Sequence, residues 1–228
     1  MSEKKCSCGP DCTCGCNEGK ECTCENCNCE CCYDCCCDSD CECVCVGEDV
    51  PNFKMTTWSP AKSYFDSVCL DEIMASGKWT VLVFFPAAFS PVCPTELAEL
   101  AEYQEEFKKL NAELITVSTD TQFSLMAWQQ SDKLLKDVQF QMASDANNEV
   151  SSLFGIYDAE TGLALRGTFI ISPKGKLLSS EVSFYNVARS ATELLRKLQA
   201  NIYVFQHPEM VCPAKWKPGQ KGLAPSGN

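Results

Sequence analysis

Seventeen of the chain's 20 cysteines fall between Cys6 and Cys45, in a stretch with one aromatic residue, Tyr33, and almost no aliphatic side chains. Such a segment cannot bury enough apolar surface to offset its ordering entropy, and only cross-links or bound metal can supply what it lacks. A hydrophobic core must therefore be built from the residues after it. The composition changes near Gly47, after which Pro51 and Phe53 open an apolar pattern. The expected division is a cysteine-rich segment at 1–46 and a globular domain at 47–228, with an arm rich in Pro, Lys and Gly at 207–228.

Charge follows the same division. Residues 1–49 hold twelve acids and three bases, a net −9 of the chain's −12. The globular part is close to neutral, and the overall sign argues against nucleic acid or an anionic membrane as partner. Residues 1–30 contain no apolar export core, and no stretch approaches a membrane span, so the cytoplasm is the expected compartment. Thiols there are kept reduced, which favours metal binding or catalysis over a disulfide framework.

In the first segment the spacing is mostly C-x-C. The runs are Cys6 with Cys8; Cys12, Cys14 and Cys16; Cys22 with Cys24; Cys27, Cys29 and Cys31; Cys35 with Cys37; and Cys41, Cys43 and Cys45. Cys32 and Cys36 lie directly beside these. Cysteines two apart are poorly placed to bond each other but can grip one soft ion. Histidine is absent, so a site would be all-thiolate, which suits Zn²⁺, Cd²⁺ or Cu⁺. Seventeen thiolates would hold about four tetrahedral Zn²⁺ ions without sharing sulfurs. In composition and spacing the segment resembles metallothioneins. A disordered acidic tether and an oxidised tangle are the plain alternatives.

Beyond Gly47, an amphipathic stretch at 64–74 ends at Gly77-Lys78, and Trp79–Phe85 is a continuous apolar run of the kind found in a buried central strand. Pro86 ends the run. A helix is expected from Pro94, with Leu97, Leu100, Tyr103, Phe107 and Leu110 forming one apolar stripe. Further strands are expected at 113–118 and 138–142, helices at 122–131 and 149–154, a hairpin over 166–183 and a last helix at 188–205. Strands alternating with helices, then a hairpin and a closing helix, predict an α/β fold with a mixed central sheet.

The densest chemical signal is FFPAAFSPVCPTEL at 84–97. It resembles the active-site loop of peroxiredoxins, whose Pro, Thr/Ser and Cys positions correspond to Pro86, Ser90 and Cys93. Three further stretches match in order: LALRGTFIISPKG at 163–175 with Arg166, ARSATELLRKL at 188–198 with Arg189, and the tail HPEMVCPAKWKPGQKGLAPS at 207–226 with Cys212. The tail is similar to the resolving-cysteine arm of typical two-cysteine members, in particular the peroxidase component of bacterial alkyl hydroperoxide reductase. The resemblance implies a thioredoxin fold and a thiol-specific peroxidase active in antioxidant defence. It also implies Cys93 as peroxidatic thiol and Cys212, 119 residues later, as resolving thiol from a partner subunit. A homodimer that often assembles into a decamer, and a thioredoxin-like or flavoprotein disulfide reductase, are implied with it. No cofactor is called for.

The residues themselves agree with that chemistry. A thiolate cleaves a peroxide O–O bond, and Cys93 lies where a strand ends and a helix begins, so unpaired N–H groups and partial positive charge face it. An arginine from another strand would add to this charge, and the resemblance nominates Arg166 as that activator, in preference to Arg189. Ser90 is placed to bond the sulfur or a peroxide oxygen, Pro86 to stiffen the loop, and Glu96 to orient the arginine. The sulfenic acid that forms would condense with a second thiol. Cys69 reads as a core residue and His207 as a helix-end residue without chemistry.

Four positions depart from the family pattern: Phe85, Ala88, Pro91 and Gln122 stand where tyrosine, aspartate, an aromatic residue and histidine are common. The 144–154 stretch lacks the Gly-Gly-Leu-Gly insertion of overoxidation-sensitive relatives, and the tail lacks their Tyr-Phe helix. Resistance to overoxidation is the expectation. Two other functions fit less well: a metal-sequestering protein that uses the domain as an oligomeric scaffold, and a redox-dependent chaperone.

Overall fold

Every side chain of strand β3 (Trp79–Phe84) is buried, so this strand has to lie in the middle of the sheet. A computed structural model describes residues 43–225 and places it there. β3 pairs in parallel with β4 (Ala112–Ser118) and antiparallel with β8 (Arg166–Ile171). Seven strands form the mixed sheet in the order β2-β1-β5-β4-β3-β8-β9. The outer members are β1 (Lys54–Ser59), β2 (Tyr64–Cys69), β5 (Gln141–Ser144) and β9 (Leu177–Ser183). A two-stranded ribbon, β6 (Tyr157–Asp158) with β7 (Leu163–Ala164), stands beside it.

Alternate side chains of β3 point into different cores. Val81 and Val83 meet Leu97, Leu100 and Phe107 of α2 (Cys93–Lys109), Trp128 of α3 (Gln122–Ser131) and Leu194 and Leu198 of α5 (Ala191–Gln206). Leu82 and Phe84 meet Leu70 and Ile73 of α1 (Leu70–Ala75), Val150 of α4 (Glu149–Leu153), and Phe154 and Phe169. Helices therefore cover both faces of a mixed sheet, which is the α/β thioredoxin-type architecture expected from the sequence.

Differences from the expected elements have local causes. The 64–74 stretch is a strand followed by a six-residue helix; Tyr64 and Phe65 lie exposed on an edge strand, so apolar spacing there does not report a helix face. β1 has no counterpart among the expected elements, and it links β2 to β5. β5 starts at Gln141 because its pairing with β4 starts at Ile115, whereas Val138, though buried, closes a turn onto Leu135. α2 begins at Cys93, one residue before Pro94. α5 begins at Ala191 because the Arg189 N–H is donated to Glu96 at 2.8 Å and the Ser190 backbone is extended.

The last residues of the cysteine-rich segment that are described pack on the domain. The Val44 N–H donates to the Leu153 carbonyl at 2.9 Å. Gly155, at φ +65°, leaves space that a Cβ would take from Cys43, 3.2 Å away. Among the described residues no helix is long and apolar enough to cross a membrane.

Candidate active site

The apolar run of β3 ends at the sheet's carboxyl edge, where Phe85 N–H still bonds to Val117 O at 2.9 Å and Pro86, buried, stops the pairing. A six-residue loop then delivers Cys93 as the first residue of α2. Its side chain is fully buried (0% exposed) and is a free thiol. The Ser90 Oγ accepts from the Cys93 N–H at 3.4 Å, so this hydroxyl serves the first turn of the helix.

Facing the thiol is an ionic cluster drawn from three elements. Arg166, at the start of β8, donates from Nη1 to Cys93 Sγ at 3.5 Å and to Glu96 Oε2. Its Nε donates to the Tyr185 carbonyl at 2.7 Å. Glu96 lies on the first turn of α2 and also accepts through Oε1 from the Arg189 N–H and from Arg189 Nε at 3.0 Å. The Arg189 guanidinium is spent further on Phe84 O, Gly167 O and Thr168 Oγ1. Arg189 is thus not a surface arginine; its side chain is 8% exposed, against 3% for both Arg166 and Glu96. Two guanidiniums against one carboxylate leave one buried positive charge, and the Cys93 sulfur is the group that Arg166 presents it to.

Tyr185, Thr168 and Asp120 carry no signal in the sequence. Tyr185 and Asp120 act through contacts no local pattern encodes: a backbone carbonyl in one case, and a loop contact 32 residues away in the other. The Tyr185 hydroxyl donates to Asp158 at 2.6 Å and holds that carboxyl below the ordinary range, tying β6 to the loop that orients Arg166.

Cys212 lies outside this cluster. The arm does not extend freely but folds back on α5. Trp216 is buried, its carbonyl accepts from Arg196 Nη1 at 3.2 Å, Gly222 N–H donates to the Tyr203 hydroxyl at 2.9 Å, and Val211 and Leu223 form a bridge. The half-buried Cys212 thiol points at Ala200 O, 3.8 Å away. Burial pushes this thiol above its ordinary range, with the Arg196 charge partly opposing. His207 caps the end of α5. Cys69 is half-exposed rather than core, because it ends the edge strand β2 just before α1, where its thiol donates to Asn52.

Among the described residues no group of three or more His, Cys, Asp or Glu is placed to hold a metal ion. Fifteen of the cysteines that the sequence nominates as metal ligands lie outside the described residues: Cys6, Cys8, Cys12, Cys14, Cys16, Cys22, Cys24, Cys27, Cys29, Cys31, Cys32, Cys35, Cys36, Cys37 and Cys41. The other two, Cys43 and Cys45, are described and have protein contacts. Cys45 N–H donates to Glu48 at 2.8 Å, and Cys43 packs against Gly155.

A family model described as the AhpC/TSA family matches residues 46–180. The chain is 45% identical over 150 residues to an alkyl hydroperoxide reductase C of Pseudomonas aeruginosa, covering 66% of this chain and 80% of that protein. It is 39% identical over 181 residues to the alkyl hydroperoxide reductase C of Amphibacillus xylanus, covering 79% and 95%. Among solved structures, Enterococcus faecalis AhpC superposes with a TM-score of 0.69 at 33% identity, covering 74% of this chain and 98% of that one. A reduced 2-Cys peroxiredoxin of Plasmodium vivax superposes with a TM-score of 0.75 at 27% identity, covering 79% and 93%.

Proposed function

Because the chain belongs to the AhpC/TSA family of typical two-cysteine peroxiredoxins, we propose that it is a thiol peroxidase in which Cys93 reduces hydroperoxides and Cys212 resolves the product. The observation that carries this reading is the Arg166 guanidinium on Cys93 Sγ at the head of α2. The first step is Cys93-S⁻ + ROOH + H⁺ → Cys93-SOH + ROH. The sulfur supplies two electrons to the proximal peroxide oxygen, the O–O bond breaks, and the leaving oxygen takes the proton. Arg166 steadies the anionic sulfur and the charge on the oxygens, the helix N-terminus adds partial positive charge, and Glu96 with Arg189 locks Arg166 in place. Ser90 and Pro86 shape the loop.

The second step is Cys93-SOH + Cys212-SH → Cys93-S-S-Cys212 + H₂O, between the two subunits of a homodimer that assembles further into a decamer. A thioredoxin-like or flavoprotein disulfide reductase then returns both thiols. Peroxide consumption by the full chain, with mass-spectrometric search for a peptide pair joined through Cys93 and Cys212, tests the reading. Cys93→Ser is expected to lose turnover entirely. Unchanged turnover in that variant would refute it.

The cysteine-rich segment 1–46 supports a second, coexisting role, the sequestration of soft metal ions such as Zn²⁺ or Cu⁺ by its C-x-C thiolates. Metal content of the reduced, purified chain, compared with a chain lacking residues 1–46, tests this. Equal metal in the two ends it.

A further inference from the structure

The loop that carries Pro86, Ser90 and Cys93 is tied at its middle by a side chain from elsewhere. Asp120 follows β4, and its Oδ2 accepts from the Ala88 N–H at 2.7 Å and from the Ser118 hydroxyl at 2.9 Å. Asp120 is itself anchored. Its N–H donates to Ser118 Oγ at 3.3 Å, and its carbonyl accepts from the Ser144 hydroxyl at 2.7 Å. Asp120 is therefore fixed through its backbone and side chain to the ends of β4 and β5 before its carboxylate reaches across to the loop.

The loop needs such a tie. Phe89, the residue after Ala88, is held at φ +58°, which disfavours a bulky non-glycine residue. Its ring is 64% exposed and only edges toward Trp128, 6.3 Å between centroids. Little apolar burial at Phe89 offsets that conformation, whereas a charge-assisted bond at Ala88 contributes directly to it.

The two halves of the proposed reaction make opposite demands on this loop. Reaction with peroxide needs Cys93, Ser90 and Arg166 assembled as they stand. Disulfide formation needs the sulfur of Cys93, fully buried here, to come out and meet Cys212. We propose that Asp120 is a positioning residue that holds the active-site loop closed through the Ala88 N–H, favouring the peroxide step and slowing the disulfide step. This rests on the roles given above to Cys93 and Cys212. An interaction that stabilises one of two loop states must shift every rate that depends on their ratio.

Single-turnover stopped-flow fluorescence of the full, prereduced chain separates the steps, since Trp128 lies beside the loop. Asp120→Ala is expected to lower the rate constant for Cys93 oxidation by about tenfold, the order of one charge-assisted bond, and to raise the rate of disulfide formation. Asp120→Asn keeps an oxygen that can accept from Ala88 and is expected to recover most of both rates. Asp120→Glu displaces the carboxylate by one methylene and is read by the same criteria if the alanine variant does not fold. Rates that stay near wild type in the alanine and glutamate variants, or that fall together by one factor without recovery in the asparagine variant, overturn the proposal. A wild-type chain that peroxide does not oxidise at Cys93 overturns the peroxidase reading and this one with it, and is recognised before any variant is tested.

Discussion

Arg166 Nη1 donates to the sulfur of Cys93 at 3.5 Å across a sequence distance of 73 residues. The same nitrogen donates to Glu96, and the other edge of the guanidinium donates to the carbonyl of Tyr185. Arg166 is thereby held in one rotamer, with its charge delivered to one atom.

Replacing Arg166 by lysine keeps the charge and loses the fork. A lysine ammonium cannot reach Tyr185 O, Glu96 and Cys93 from one planar group. Arg166→Lys is expected to lower the second-order rate with peroxide by about 100-fold, the scale of one preorganised donor at a reacting centre. Competition kinetics against a peroxidase of known rate would measure it.

Among the described residues, Glu96 is the one carboxylate paired with the buried Arg166 and Arg189 guanidiniums. Removing it leaves two like charges unpaired in the interior. Glu96→Ala is expected to destabilise the domain by about 3–5 kcal/mol, read as a lower denaturation midpoint in urea. A shift below about 1 kcal/mol, a fewfold change in the folding equilibrium, would mean that solvent reaches the pair freely.

Cys212 carries its own pH signature. Burial disfavours its thiolate, so the thiol form persists to higher pH than in a free cysteine. In a Cys93→Ser chain, alkylation at Cys212 is expected to be slower than for a free thiol at neutral pH and to rise with a midpoint displaced to the alkaline side. Peptide mapping distinguishes Cys212 from the other thiols. Alkylation at the free-thiol rate would show that the arm leaves α5 in solution.

Between β5 and α4 the chain makes only the short turn Asp145–Asn148, with Asn148 N–H returned to Asp145 O at 2.8 Å. Past Trp216 the described arm has no helix; it closes through the Val211–Leu223 bridge. Neither segment adds to the Asp120 tie in holding the loop closed over Cys93 while a second peroxide arrives. Turnover is expected to survive a small molar excess of peroxide, with no sulfinic acid at Cys93 by mass spectrometry.

The alternation of β3, α2, β4 and α3 is legible in the sequence because each is buried on a face whose period matches its geometry: continuous for Trp79–Phe84, three-and-four for Leu97, Leu100 and Phe107. β2 is not legible, because an edge strand with exposed Tyr64 and Phe65 carries no clean period, and β1, which lies between β2 and β5, reads as a short polar stretch because Lys54, Thr56, Thr57 and Ser59 interrupt its apolar residues. Pro86, Ser90, Cys93 and Glu96 lie within one short window of eleven residues and can be read together. Arg189 ranks too low in the linear chain, since burial of a charged residue depends on partners that the sequence does not display.

The sequence by itself determined the alternation of strands and helices, the junction that presents Cys93, and the contrast in composition between a cysteine-dense, acidic stretch and the residues after it; these follow from local periodicity and composition. Only the tertiary structure decided which groups converge on the sulfur. The ends of β8 and β4 and the loop before α5 meet there because strands paired side by side bring distant residues to one edge. The Asp120 tie, the Tyr185 carbonyl and the shared Glu96 carboxylate exist only once those edges are aligned, because a hydrogen bond depends on position in space and not on distance along the chain.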